Sequence, residues 1–259
     1  PEEELQKTEN AQPAIMAMSM ACFRAWLELM PSSNLNPIAL AGHSLGEYTS
    51  LVASGALAWP DALSLVRERG RLMQMASDRR ASTMAAVIGL DETILEEICM
   101  ETGVEIANIN ADDQIVISGD KRFVAQALDL ACVRGARKTI PLAVCGAFHS
   151  SFMSPAQEGL ANAIEIVPFK DPQVPVIGNA TSALLTTAEM VKADLMSQLC
   201  CCVQWSKSMK VMTQMGVSNF LEFGPGKVLG SLVRRVDRQA GVFSIGDLNS
   251  VRHAAGQAV

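Results

Sequence analysis

The sequence predicts an α/β protein in which a frame of parallel strands and covering helices is interrupted by a small antiparallel insert. Three observations predict it. A short apolar strand, PIALA at 37–41, runs into Gly42-His43-Ser44-Leu45-Gly46 and then into a helix-like run from Glu47. Residues 84–144 change character and read in the order β-α-β-β-α-β, with their own caps and turns. From residue 154 onward, helices and short strands alternate again.

Each element has its own reason. Residues 9–30 place Ala14, Met18, Cys22 and Leu29 at helical spacing, and Pro31 stops that helix. After the 37–41 strand a helix spans about 47–54, and Asp61 stands as the N-cap of the next, which runs to about Ser77. In the insert, MAAVIGL is a strand and DETILEEICMETG a helix capped by Asp91 and stopped by Gly103. VEIANIN and QIVISG are strands joined by the turn ADD, DKRFVAQALDLACVRG is a helix, and ARKTIPLAV is a last strand. Beyond it follow a helix at 154–166, a strand at 175–178, helices at 188–199 and 206–215, a strand at 219–223, and a Gly-Pro-Gly turn into a helix. The division this implies is 1–80 with 147–259 as the larger unit and 81–146 as the insert, which is ferredoxin-like in its strand order.

Composition narrows the function classes. Of 259 residues, 49% are apolar and 19% charged, which suits a packed core. A net charge of −6 argues against nucleic acid as a partner. No apolar run reaches the roughly 20 residues a bilayer span needs, and no signal-peptide pattern is visible. The opening PEEELQKTENAQPAI, with no Met and no initial strand, reads as the interior of a longer protein. Seven cysteines at irregular spacing, with no C-x-x-C pair, argue against a metal site and for reduced, mostly buried thiols in the cytoplasm.

Gly42-His43-Ser44-Leu45-Gly46 fits the G-x-S-x-G nucleophile elbow of α/β-hydrolase-like folds. The glycines leave room for the packed strand and helix, Ser44 projects clear of the sheet, and the Leu45 N–H points where an oxyanion would form. A serine hydroxyl needs a general base. The chain has three histidines: His43 inside the elbow points away, His253 lies in a polar tail, and His149 stands where the insert rejoins the larger unit. Elimination selects His149. No acid stands in a setting that marks it as a third member, and a backbone carbonyl can fix the histidine tautomer instead.

GHSLGEY at 42–48, VRERGRLMQ at 66–74, GAFHS at 146–150, PVIGNAT at 175–181, VQW at 203–205 and EFGPGKVLGSLVRR at 222–235 together resemble the malonyl-CoA:acyl carrier protein transacylases. The resemblance covers nearly the whole chain in order. It implies ping-pong transfer of a malonyl group from malonyl-CoA to the phosphopantetheine thiol of acyl carrier protein through a malonyl ester on Ser44, with no cofactor or metal. It implies that the main-chain carbonyl of Gln204 holds His149, that Arg69 grips the malonyl carboxylate, and that Phe148 marks the malonyl-selective members. Met73 and His43 join them as substrate-binding residues. Members of the family begin with a strand and a Gly-Gln-Gly-Ser-Gln-like turn that supplies a second oxyanion N–H, and the chain is expected to lack both, at a cost of about 10²–10³ in rate. Arg134, Arg137, Lys138, Lys207 and Lys210 are candidate docking cations for the acidic carrier protein. The alternatives are a serine hydrolase or thioesterase with the same elbow, and an inactive acyltransferase-like docking domain.

Overall fold

The computed structural model describes residues 1–30 and 36–257. The stop at Pro31 lies outside the described residues. The chain opens with α1 (Glu2–Gln6) and α2 (Thr8–Leu29), passes through β1 (Leu40–Ala41) into α3 (Leu45–Ala53), and continues to α4 (Trp59–Asp78). The insert comprises β2 (Ser82–Ile88), α5 (Glu92–Thr102), β3 (Glu105–Ala111), β4 (Gln114–Asp120), α6 (Lys121–Val133) and β5 (Lys138–Pro141). A 3-10 turn (Ser151–Met153) leads into α7 (Ser154–Glu165), β6 (Val176–Ile177), β7 (Leu184–Leu185), α8 (Ala188–Gln198) and α9 (Trp205–Gln214). The chain ends in β8 (Asn219–Phe223), α10 (Val228–Val236), β9 (Gly241–Ile245) and α11 (Leu248–Gln257).

The insert has the strand order β3-β4-β2-β5, antiparallel throughout, as its β-α-β-β-α-β sequence requires. Period-two alternation sorts its side chains. Ala85, Val87, Ile115 and Ile117 meet Leu95 and Ile98 of α5 and Val124 and Ala127 of α6, while Met84, Ala86 and Val116 face the other way and pack with Phe148. Local chemistry sets the helix ends. The Asp91 carboxylate accepts from the Ile94 N–H, the Asp120 carboxylate accepts from Arg122, and Gly103 takes a left-handed φ of 73° after α5.

The larger unit carries β1 parallel to β6, with β7 antiparallel beside β6, and a separate parallel pair of β8 and β9. Helices α3, α4, α7 and α8 close over one core containing Tyr48, Leu51, Val66, Leu160, Val176 and Leu195. The backbone of Val203, in the loop before α9, bridges to the edge of β3: Val203 N–H donates to Ala107 and Ile109 N–H donates to Val203, each at 2.9 Å.

Four expectations need correction. The buried stripe of α2 is Gln12, Met16, Ser19, Met20, Cys22 and Trp26, so Ala14, Met18 and Leu29 lie on the outer face. In this stretch, rich in small residues and Met, two stripes satisfy helical spacing, and packing selects the one that meets α4. Helix α4 begins at Trp59, because Pro60 suits a first helical turn, and Asp61 lies inside that turn without capping it. The polar tail that carries His253 is helical, within α11, and packs Val251, Ala254 and Ala255 into a core with Trp26 and Ile245. Only Cys22 and Cys99 are buried, and Cys132, Cys145 and Cys201 are exposed. Ile117→Ala, on the buried central strand of the insert, is expected to cost about 2–5 kcal/mol and to lower the melting temperature in calorimetry.

Candidate active site

Ser44 sits at the end of β1 and caps α3 with φ 51° and ψ −105°, a conformation that side chains rarely adopt. The turn is held from outside. Asn179, after β6, accepts the Ser44 N–H through Oδ1 at 2.6 Å and donates Nδ2–H to the Gly42 carbonyl at 2.7 Å. Gly42 is required by space, because a Cβ there would stand 1.9 Å from the Gly46 carbonyl carbon. Gly46 is not required in this way: a Cβ on it meets nothing within 4 Å, contrary to the symmetric role the sequence suggests. The Ser44 N–H is taken by Asn179, whereas the Leu45 N–H has no acceptor among the described residues and stays available at the start of α3.

The structure brings His149 to Ser44. Its Nε2 lies 2.8 Å from Ser44 Oγ, and its Nδ1 lies 2.9 Å from the Gln198 carbonyl. A carbonyl only accepts, so Nδ1 carries the proton and Nε2 is left to accept from the serine hydroxyl. His149 itself has φ 56°. Burial, then the nearby Arg69 charge, pull its pKa down to about 3, so the ring is neutral at ordinary pH.

The carbonyl that faces His149 belongs to Gln198 and not to Gln204. The physical reason is where each residue falls on its helix. Gln198 ends α8, where carbonyls are left without intrahelical partners and the helix dipole is negative. Gln204 caps the start of α9, and its carbonyl is already taken by Ser208 N–H, Ser208 Oγ–H and Ser182 Oγ–H.

Arg69 projects from α4 into the same site and is 1% exposed. Its Nη2 donates to Ser44 Oγ and to Gln198 Oε1, each at 3.0 Å, and its Nη1 donates to Gln12 Oε1 at 2.5 Å. Its guanidinium carbon lies 5.4 Å from the centre of the Tyr48 ring. Among the described residues no carboxylate forms an ion pair with it. Burial lowers its pKa below the ordinary arginine value, but the group remains a cation. Its Nε–H is buried without an acceptor.

The remaining expected residues lie around this centre. His43 turns toward the insert, where its Nε2 donates to Asn110 Oδ1 at 2.8 Å and its ring lies 5.4 Å from Trp205. Burial lowers its pKa. Met73 is buried and meets Gln12 through its sulfur at 3.2 Å. Phe148 is half-buried between the insert and the main core, with its carbonyl held by Ser118 Oγ at 2.9 Å.

Sequence reasoning missed Gln12, Glu47, Asn179 and Gln198. Glu47 is buried, its Oε2 accepts from Asn179 N–H at 3.1 Å and Gln198 Nε2 at 2.8 Å, and burial beside Asp194 pushes its carboxyl well above the usual range toward the neutral form. Glu47 and Asn179 stand inside the quoted GHSLGEY and PVIGNAT segments, a signal that was present without a role attached. The candidate docking cations are largely spoken for: Arg134 pairs with Glu97 and Glu101, Arg137 with Asp113, and Lys210 with Asp112. Only Lys138 and Lys207 lack such partners among the described residues.

A serine on a strained turn, a neutral imidazole at hydrogen-bond distance and a free N–H at a helix start can carry an acyl group on the serine oxygen. The acyl transferase domain family model matches residues 1–246. The chain belongs to that family. It is 40% identical over 257 residues to the malonyl CoA-acyl carrier protein transacylase of Bacillus subtilis (strain 168), a match covering 97% of this chain and 80% of the relative. The solved malonyl CoA-acyl carrier protein transacylase of Coxiella burnetii superposes with a TM-score of 0.94 at 35% identity, covering 100% of this chain and 82% of the other. A malonyl-transacylase solved in complex with its type II PKS acyl-carrier protein superposes with a TM-score of 0.94 at 37% identity, over 99% of this chain and 84% of the other. Among the described residues no group of three or more His, Cys, Asp or Glu is placed to hold a metal ion, and no helix is long and apolar enough to cross a membrane.

Two outcomes are expected. Gly42→Ala forces backbone apart and lowers the melting temperature by far more than Gly46→Ala, measured by thermal unfolding. With its folded pKa depressed to about 3, His149 stays unprotonated in the native state while an unfolded histidine takes a proton below about 6.5. The contribution of this residue to stability is therefore lost as pH falls from about 6.5 toward 3, and the acid limb of serine acylation lies well below pH 6.5 in a pH–rate profile.

Proposed function

We propose that the chain transfers a malonyl group from malonyl-CoA to the phosphopantetheine thiol of acyl carrier protein through a malonyl ester on Ser44. One observation carries the choice of acyl group: a buried guanidinium, not paired with an acid, reaches within 3.0 Å of the nucleophile oxygen. A substrate with a free carboxylate supplies the missing counter-charge, and an acetyl group does not.

Ser44 Oγ attacks the thioester carbonyl as its proton passes to His149 Nε2. The oxyanion meets the Leu45 N–H. The carbon–sulfur bond breaks, and the coenzyme A sulfur leaves with the proton from His149. The carrier thiol then gives its proton to His149 and attacks the serine ester, and Ser44 Oγ leaves and recovers the proton. The Gln198 carbonyl holds the ring through Nδ1–H as positive charge develops on it. No metal or redox cofactor enters these steps, and the work is done in the cytoplasm. In this reading residues 1–80 with 147–259 form the catalytic unit and 81–146 a smaller lobe over the acyl site, with Phe148, Met73 and His43 around the substrate. A thioesterase is the runner-up, because the same acyl-serine could pass to water.

Incubation with malonyl-CoA is expected to add one malonyl group to the intact mass at Ser44, and added carrier protein to remove it as malonyl-carrier. Ser44→Ala abolishes the label, and Arg69→Ala reduces malonyl labelling by about 100-fold. Release mainly as free malonate would overturn transfer in favour of hydrolysis.

A further inference from the structure

We propose that the side chain of Gln198 determines acyl selectivity, as a neutral acceptor that fixes Arg69 without cancelling its charge. This rests on the reading of Ser44, His149 and Arg69 given above and extends it to a residue outside the elbow and the histidine loop.

Gln198 is 1% exposed and, among the described residues, is the one that bonds to Ser44, His149 and Arg69. Its Oε1 accepts from Arg69 Nη2 at 3.0 Å, its Nε2 donates to the Ser44 carbonyl at 3.1 Å and to Glu47 Oε2 at 2.8 Å, and its main-chain carbonyl faces His149 Nδ1 at 2.9 Å. The partners fix the amide orientation: a guanidinium only donates and the Ser44 carbonyl only accepts. Any swap of Oε1 and Nε2 would oppose like groups at both ends.

The chemistry of the acceptor matters more than its presence. A buried arginine needs its N–H groups satisfied, and proteins ordinarily do this with a carboxylate, which also neutralises the charge. Here both acceptors besides the nucleophile are carboxamides, Gln198 on Nη2 and Gln12 on Nη1. The nearest acid behind Gln198 is Glu47, whose surroundings favour its neutral form. The guanidinium is thereby held in place by dipoles while its full charge, and its unpartnered Nε–H, remain for a ligand. A carboxylate at position 198 would keep an acceptor for Arg69 and remove the vacancy in charge, while giving up the donations to the Ser44 carbonyl and to Glu47. An apolar side chain there would keep the charge and remove the geometry. Both changes weaken the preference for an anionic acyl group, and both leave the backbone carbonyl that serves His149.

The test compares initial rates of Ser44 acylation from malonyl-CoA and acetyl-CoA by intact mass, for the unmodified chain, Gln198→Glu and Gln198→Met, with melting temperatures recorded alongside. The malonyl-to-acetyl ratio is expected to fall by about 100-fold in Gln198→Glu and about 10-fold in Gln198→Met. If both rates fall together and the ratio holds, Gln198 is only structural and the proposal is overturned. Should Gln198→Glu not fold, the ratio in Gln198→Met decides. An unmodified chain that takes no label at residue 44 overturns the underlying site reading, a result separable from a labelled chain whose ratio ignores residue 198.

Discussion

The site depends on one constraint: a non-glycine residue held at φ 51°, ψ −105° between a strand and a helix. Such a conformation costs of the order of 1–3 kcal/mol and persists only where the surroundings over-determine it. Here they do. Asn179 ties the Ser44 N–H and the Gly42 carbonyl to a loop that follows a different strand, and the absence of a side chain at Gly42 lets the backbone of Gly46 close over it. The hydroxyl is thereby aimed before any substrate arrives, and the Leu45 N–H is spared for later use.

Around that turn the protein manages electrostatics by burial and by neutral partners. His149 is kept uncharged by desolvation and by a nearby cation, which is the state a base needs. Arg69 is kept charged in a dry place by amide oxygens and an aromatic ring. Glu47, which would otherwise neutralise that cation from below, is biased toward its acid form by burial and by Asp194. Each group would be unfavourable alone, and each is tolerated because its neighbours were chosen by the fold and not by sequence proximity.

What could be read from the sequence was local. The caps at Asp91 and Gly103 depend on residues three or four positions away, so the insert and its strand order were legible. The strand–turn–helix around Ser44 was legible for the same reason, and His149 emerged because there were few histidines to choose from. What could not be read depended on long-range packing. Gln12 reaches Arg69 across 57 positions, Gln198 across 129, and Asn179 reaches Ser44 across 135. Nothing in the sequence around a lone glutamine announces such a partner. The choice between Gln198 and Gln204 turned on which carbonyl lies at the open end of a helix. The basic cluster around Arg134 and Arg137 looked available because the acids that pair with it come from α5 and the ADD turn.

The two backbone bonds between Val203 and the edge of β3 have a mechanical meaning. Val203 lies five residues beyond Gln198, on the same short connection between α8 and α9. The insert is stitched at that point to the segment that steadies the imidazole. A tilt of the four-stranded sheet must therefore either shear this seam or pull on the connection that carries the Gln198 carbonyl. The same stitch occupies one of the two edge strands of the insert, β3, leaving less of that edge open to another chain.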